Sequence, residues 1–224
     1  MPSDSIENYL KTIHKLSQGN GQERVKTKDI ADRLELSLPS VTSMLKTLSR
    51  QGYLDYVPYQ GVHLTGTGHA AALKVVRKHR LIELFLLRTL DLDWSEVHEE
   101  AELLEHALSD KLTDRIDAFL GYPRHDPHGD PIPNRDGTIH ETIGMLLTEV
   151  NLHQPMAIHR VLTQNSEVLR YLDDKGINLG ARLAVIELAP FGGPVTVEVN
   201  GGVTRVSLSR QMAEILLVTA PEED

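Results

Sequence analysis

The chain has 224 residues, of which 40% are hydrophobic, and it is long enough for two small domains with packed cores. It contains no cysteine, which excludes disulfides, thiolate zinc sites and thiol catalysis, so any metal must be held by oxygen and imidazole nitrogen. The net charge of −9 is unevenly distributed, because residues 1–80 carry 12 Lys/Arg against 7 Asp/Glu whereas residues 81–224 carry 11 against 25.

The N-terminal third of the chain has the pattern of a winged helix-turn-helix domain. Apolar residues at helical spacing predict a first helix that ends near a Gly-Asn-Gly turn at residues 19–21; they are Ile6, Tyr9, Leu10, Ile13 and Leu16. The segment KTKDIADRLELSLPSVTSMLKTLSRQGYL then predicts two helices joined by a short turn, with caps at Thr27 and Ser37. Short apolar segments at 54–58 and 62–65 predict a β-hairpin, the wing.

The second helix of this motif is expected to contact DNA. Its N-terminal turn can enter a major groove and present small side chains to base edges, and those side chains are Ser37, Pro39, Ser40, Thr42 and Ser43. The basic residues of the domain would contact phosphates, and Tyr59 in the wing would add backbone contacts. The remaining predicted contacts are Lys26, Thr27, Lys28, Lys46 and Arg50. The alternative is that the motif is only a three-helix packing solution, as in protein-binding modules.

Residues 77–110 have the pattern expected of a metal site on two helices. Glu83 interrupts an apolar run from 81 to 87, and a carboxylate on so buried a helix is costly unless a cation meets it. His79 lies four residues earlier on the same face. In the segment VHEEAELLEHALSD, four potential ligands share about 100° of helical arc, while three leucines and an alanine cover the opposite side. These ligands are His98, Glu102, Glu105 and His106. The alternative is that they are solvated charges in i, i+4 pairs.

The remainder of the chain changes from helical to strand patterns. The segment LTDRIDAFLG predicts a helix with an apolar stripe that would pack within the protomer or across a twofold axis; the stripe is Leu112, Ile116, Phe119 and Leu120. Residues 121–137 are rich in Pro, Gly, Asp and His without periodicity, which predicts a linker. Short strands with one helix between them predict a small barrel; the strands are 156–162, 182–188, 195–199, 203–208 and 215–218.

Five segments, in this order, resemble the diphtheria toxin repressor and manganese transport regulator family of metal-dependent transcriptional repressors. They are IENYLKTIHKL, IADRLELSLPSVTSMLKTLSRQGYL, RKHRLIE, VHEEAELLEHALSD and DPHGDPIP. The resemblance covers nearly the whole chain and implies a mainly α fold with a β C-terminal domain. The implied domains are a winged helix-turn-helix (1–72), a helical dimerisation and metal-binding domain (73–122), a linker (123–144) and an SH3-like barrel (145–224), the barrel also being seen in ferrous-transport accessory proteins.

By position, the resemblance implies two metal sites per protomer. The family's primary site maps onto Asn8, Glu102, Glu105 and His106, and its ancillary site maps onto His79, Glu83 and His98. Asn8 departs from the Asp or Met that the family has at this position; its amide oxygen can bind a hard cation but adds no negative charge. Glu102 stands where iron sensors commonly have Cys, which resembles the manganese branch.

The linker and the barrel offer further candidate ligands. Many manganese sensors have a Cys-Pro-His-Gly sequence in the linker, and this chain has Asp-Pro-His-Gly at 126–129, so Asp126 and His128 are candidates. The alternative is an ordinary Pro/Gly turn. Some relatives donate a ligand from the barrel, and Glu167 is near that position, although an acidic residue there also suits a helix N-terminus.

The function implied by the resemblance is regulatory and not enzymatic. Mn(II), or alternatively Fe(II), would promote binding of a homodimer to double-stranded operator DNA and repression of metal-uptake genes. We expect a cytoplasmic protein without a membrane partner, because no apolar run approaches the ~20 residues of a membrane span and the N-terminus lacks a signal pattern. Two alternatives remain: a winged-helix regulator answering an organic ligand or protein partner, and a metal-dependent hydrolase, for which no separate nucleophile or general base is evident.

Overall fold

The computed structural model describes residues 3–18, 24–140, 143–202 and 204–221. Within these ranges, eight α-helices and eight β-strands are formed, and the chain divides into two compact units. The first unit comprises Met1–His79, Leu104–Ser109 and Pro133–Thr138, and the second comprises Arg80–Leu103, Asp110–Ile132 and Ile139–Asp224. None of the described helices combines the length and apolar character needed to cross a membrane.

The helices are α1 (Asp4–Gln18), α2 (Thr27–Leu34), α3 (Leu38–Arg50), α4 (Gly66–Leu90), α5 (Val97–Leu104), α6 (Asp110–Phe119), α7 (Ser166–Asp174) and α8 (Arg210–Ala213). The strands are β1 (Leu54–Val57), β2 (Gly61–Leu64), β3 (Met145–Leu146), β4 (Pro155–Val161), β5 (Arg182–Leu188), β6 (Val195–Val199), β7 (Thr204–Leu208) and β8 (Leu216–Thr219). A short 3₁₀ turn follows β3 at Leu147–Glu149.

The first unit contains the predicted winged helix-turn-helix. Fully buried apolar side chains from α1, α2 and α3 form its core, including Leu10, Ile13, Ile30, Leu45 and Leu48. As predicted, the Ser37 side chain caps α3 by accepting a hydrogen bond from the Ser40 N–H at 3.4 Å. The predicted cap at Thr27 is wrong, because Thr27 is the first residue of α2 and Lys26 occupies the N-cap without a side-chain hydrogen bond. The predicted turn at residues 19–21 lies outside the described residues.

The wing is the predicted antiparallel hairpin of β1 and β2, in which Leu54 pairs with Leu64. It is attached to the segment before α2 because Val25 and Val62 exchange backbone hydrogen bonds of 3.0 and 2.9 Å. Gly61 permits this approach: its φ is +111°, and a Cβ at this position would lie 2.3 Å from the Val25 carbonyl oxygen.

The second unit contains a six-stranded antiparallel sheet in the order β3-β8-β4-β5-β6-β7. Buried and less buried residues alternate along its strands, as in β6, where the three valines are buried. Leu169 and Leu172 of α7 pack into the same core, together with Trp94 from the segment before α5. The predicted mainly α fold with a β C-terminal domain is therefore confirmed. Val203, the first residue of the strand predicted at 203–208, lies outside the described residues.

The predicted single helix over residues 97–110 is the main difference between pattern and structure. α5 ends at Leu104, and Glu105 begins a turn in which the N–H groups of Ala107 and Leu108 both donate to the Leu104 carbonyl, at 3.0 and 3.3 Å. The expected apolar packing face is also wrong, because Leu103 and Leu104 are 74% and 38% exposed, Ala107 is exposed and Leu108 is only half-buried. Helical periodicity continues in the sequence beyond Leu104, but the backbone forms a turn before α6 begins. The orientation of the Glu105 side chain is therefore set by this turn and not by a helix.

Candidate metal centre and nucleic-acid interface

In the first unit, the His106 side chain contacts two residues of α1, Glu7 and Asn8. Its Nδ1 lies 2.7 Å from Glu7 Oε2, and its Nε2 lies 2.9 Å from Asn8 Oδ1. Asn8 and His106 were both predicted site residues. Sequence reasoning missed Glu7, whose only signal was that it lies four residues before Lys11 on α1.

Glu105 is fully buried near His106, and each of its two carboxylate oxygens contacts a basic side chain. Lys11 donates to Oε1, and His79 Nδ1 lies 2.7 Å from Oε2. His106 Nε2 is 3.3 Å from Oε1. The first unit therefore brings four predicted ligands together, Asn8, His79, Glu105 and His106, and adds two charged residues to them.

Glu83 is the corresponding buried carboxylate of the second unit. His98 Nδ1 lies 2.9 Å from its Oε1, and His128 Nδ1 lies 4.0 Å from its Oε2. The other nitrogen of His98 is 3.6 Å from Glu102 Oε1. The carboxylate predicted from an interrupted apolar run is thus fully buried and has two imidazoles beside it.

Glu83, Asp126 and His128 form a group suited to a cation. Each offers one ligand atom, these atoms lie within 4.8 Å of one another, and all three side chains are buried. His128 Nε2 is 2.8 Å from the Trp94 carbonyl oxygen, which can only accept, so Nε2 donates to it and the neutral ring would present its lone pair at Nδ1. Among the described residues, neither His128 Nδ1 nor Asp126 Oδ2 has a hydrogen-bond partner. A buried lone pair facing two carboxylates fits a hard divalent cation.

The electrostatics of this group also favour a cation. Burial, followed by the carboxylates of Glu83 and Asp130, raises the pKa of Asp126 well above its usual range. Arg80 opposes the increase, with its Nε 3.6 Å from Asp126 Oδ2, and Arg160 pairs with Asp130. Sequence reasoning missed Arg80, Asp130 and Arg160, because their role depends on contacts between α4, the linker and β4.

The linker holds Asp126 and His128 through its own backbone. Asp126 Oδ1 accepts the N–H groups of His128 and Asp130 at 2.8 and 2.9 Å, and the Val161 N–H donates to the His128 carbonyl at 2.9 Å. Gly129 has a φ of +86°, and a Cβ on it would lie 2.1 Å from the His159 carbonyl oxygen. The DPHG segment is therefore a buried turn fixed against β4, and not an exposed loop.

Glu167 stands apart from these groups. It is an exposed residue in the first turn of α7, where Asn165 caps the helix by accepting the Val168 N–H at 3.0 Å. Within the part of the chain that the structure describes, no group of three or more potential ligands includes Glu167. Its position agrees with the helix N-terminus interpretation.

The predicted DNA contacts form an exposed surface of the first unit. Ser37, Pro39, Ser40 and Ser43 at the start of α3 are exposed, and Thr42 is half-buried. Lys46 and Arg50 extend the exposed face along α3, and Tyr59 is fully exposed at the tip of the wing. Before and within α2, Lys26 and Lys28 are exposed and Thr27 is half-buried.

Three family models match the chain in succession. Residues 1–62 match the model described as iron dependent repressor, N-terminal DNA binding domain. Residues 65–134 match the model described as iron dependent repressor, metal binding and dimerisation domain. Residues 145–220 match the FeoA domain.

Individual proteins are similar over almost the full length. The iron-dependent repressor IdeR of Mycobacterium tuberculosis is 34% identical over 230 residues, which cover 96% of each chain. The diphtheria toxin repressor of Corynebacterium diphtheriae is 29% identical over 208 residues, covering 88% of this chain and 90% of the relative. A solved structure of a manganese-dependent transcriptional repressor in complex with manganese has 38% identity and a TM-score of 0.86, covering 96% of this chain and 99% of that chain.

Proposed function

The chain belongs to the iron-dependent repressor family of metal-dependent transcriptional repressors, as its sequence resemblance indicated, and we propose that the metal to which it responds is Mn(II). Members of this family are transcriptional repressors and not enzymes, which removes the support for a metal-dependent hydrolase. We further propose that a cytoplasmic homodimer binds double-stranded operator DNA and represses metal-uptake genes when the metal is bound.

The observation that supports Mn(II) is the Glu83–Asp126–His128 group. Two buried carboxylates and one imidazole lone pair form an oxygen-rich donor set of the kind that suits Mn(II), without the thiolate that softer ions prefer. Burial, and after it the repulsion of neighbouring carboxylates, raises the pKa of Asp126, and a divalent cation at these residues would neutralise the carboxylates of the group. Fe(II) accepts the same ligand types and is the alternative metal.

We propose two metal sites per protomer. The ancillary site would be formed by Glu83, His98, Asp126 and His128, with His79 as the fifth ligand proposed from the sequence. The primary site would be formed by Asn8, Glu102, Glu105 and His106. Its support in the first unit is that Asn8 Oδ1 and Glu105 Oε1 lie 2.9 and 3.3 Å from the same His106 nitrogen.

The proposed DNA interface and homodimer rest on exposed surfaces. The N-terminal turn of α3 and the wing are exposed in the manner required of a major-groove contact flanked by phosphate contacts. On α6, Leu112 and Phe119 are 49% and 69% exposed, which supports a contact with a second protomer. We also propose the division into domains at 1–72, 73–122, 123–144 and 145–224.

The test is anaerobic binding of the purified protein to fragmented genomic DNA at fixed salt concentration, in chelator, in Mn(II) and in Fe(II), with the retained fragments sequenced. We expect selective retention only with metal and at lower concentrations of Mn(II) than of Fe(II). Stronger retention with Fe(II) would contradict the proposed metal. Equal retention in chelator would contradict the metal response altogether.

One observation favours the alternative of an organic ligand. An open groove of about 750 Å³ in the second unit is lined by Trp94, Arg124, Asp126 and Asn178, among others, and its size suits a small molecule. A regulator of this kind would bind its fragments equally well in chelator and in metal, and the same retention experiment therefore distinguishes the two functions.

A further inference from the structure

Lys11 brings an ammonium group to a carboxylate of the proposed primary site. Its side chain is only 4% exposed, and its Nζ donates to Glu105 Oε1. His106 Nε2 lies 3.3 Å from the same oxygen and 2.9 Å from Asn8 Oδ1. The ammonium therefore shares a ligand atom with the group that we propose to hold the metal.

Lys11 changes the net charge of the residues around the proposed primary site. The Lys11 ammonium contacts the Glu105 carboxylate, the Glu7 carboxylate contacts His106, and Asn8 contributes a neutral amide. With Lys11 the three charged groups sum to one negative charge, and without it they would sum to two. A dication is attracted more strongly by the second set, and it is repelled by an ammonium a few ångströms away.

We propose that Lys11 is an internal competitor for Glu105, which stabilises the buried carboxylate and weakens the primary site for divalent metal. This inference rests on the proposed metal response. A buried charge left without a partner is costly, so Lys11 and the metal each satisfy Glu105, and either one makes the other less necessary. The position of Lys11 thus sets the metal concentration at which the repressor responds.

The experiment compares wild type, Lys11→Met and Lys11→Gln, with Lys15→Met as the matched control on the same helix. Free Mn(II) is measured by electron paramagnetic resonance during titration of chelator-stripped protein, and melting temperatures are recorded in chelator and in Mn(II). We expect Lys11→Met to bind Mn(II) at least about tenfold more tightly at one site, because a like charge has been removed. We also expect it to melt lower than wild type in chelator and to gain more from Mn(II).

The variant Lys11→Gln keeps a donor for Glu105 without the charge, so it tests the same point if the methionine variant does not fold in chelator. The proposal is overturned if both Lys11 variants bind Mn(II) no more tightly than wild type, or if Lys15→Met shows the same gain. If the proposal fails, a separate variant, Glu105→Gln, shows whether the role of Lys11 or the proposed primary site is wrong. If it abolishes one class of Mn(II) binding, the primary site is correct and only the role of Lys11 is wrong; if it changes nothing, the proposed primary site itself is wrong.

Discussion

Glu83→Gln tests whether the buried group of the second unit is a metal site or a structural ion network. The substitution keeps the size of the side chain and an oxygen that can accept from His98 Nδ1, but it removes one negative charge. The ligand atoms of this group lie within 4.8 Å of one another. Two ionised carboxylates at 4.8 Å would repel by about 3.5 kcal/mol at an effective dielectric constant of about 20.

Two opposite effects are expected from this one change. In chelator, relief of the repulsion should leave the melting temperature unchanged or raise it, by about 2–4 °C for each kcal/mol realised. In Mn(II), loss of a charged ligand should weaken binding about 10- to 100-fold and reduce the metal-induced rise in melting temperature. Scanning calorimetry with and without metal measures both effects.

The matched control is Glu187→Gln, which removes the same charge from an exposed position on β5. It should change neither melting temperature by more than about 1 °C, as expected of a surface substitution. The reasoning is refuted if Glu83→Gln melts several degrees lower in chelator and still shows the full metal-induced rise. In that case the carboxylate stabilises the fold as an ion-pair partner and does not hold a metal.

Three further predictions concern the proposed primary site, the proposed DNA interface and the buried linker turn. His106→Ala should abolish metal-dependent DNA binding in a gel-shift assay while circular dichroism remains that of wild type; a normal metal response would show that the primary site is elsewhere. Lys46→Ala should weaken binding to all DNA sequences about equally and reduce the slope of log K against log salt concentration by about 1, and a change in sequence preference would contradict its assignment to phosphate. Gly129→Ala should lower Mn(II) affinity and stability together, because a Cβ would lie 2.1 Å from the His159 carbonyl oxygen; Gly180→Ala, at an open position with a similar φ of +79°, controls for backbone strain alone.

Local pattern was sufficient for most of the fold and for the types of ligand. Ser37 could be predicted as a cap from its position before a Pro and an apolar helical stripe, and Glu83 could be predicted as unusual because it interrupts an otherwise apolar run. Both signals lie within a few residues of the position that they describe. The end of α5 at Leu104 was missed because helical periodicity continues beyond it.

Partners distant in sequence could not be found in this way. Lys11 and Glu105 are 94 positions apart, and Glu7 and His106 are 99 apart, so no local pattern joins them. Arg80 was missed for a related reason: an arginine in RKHRLIE suggests a solvated charge, whereas tertiary packing places it within 3.6 Å of Asp126. Burial by distant parts of the chain determines which charged side chains belong to the site.

The absence of thiols from the ligand groups has a consequence for oxidative stress. Where many related manganese sensors have a cysteine, this chain has Asp126, and the whole chain contains no cysteine. Peroxide converts a reactive thiolate to sulfenic acid and then to irreversible products, but it has no comparable reaction with carboxylates. A repressor built in this way has no thiol ligand for peroxide to oxidise, so it cannot lose its metal through oxidation of a thiolate.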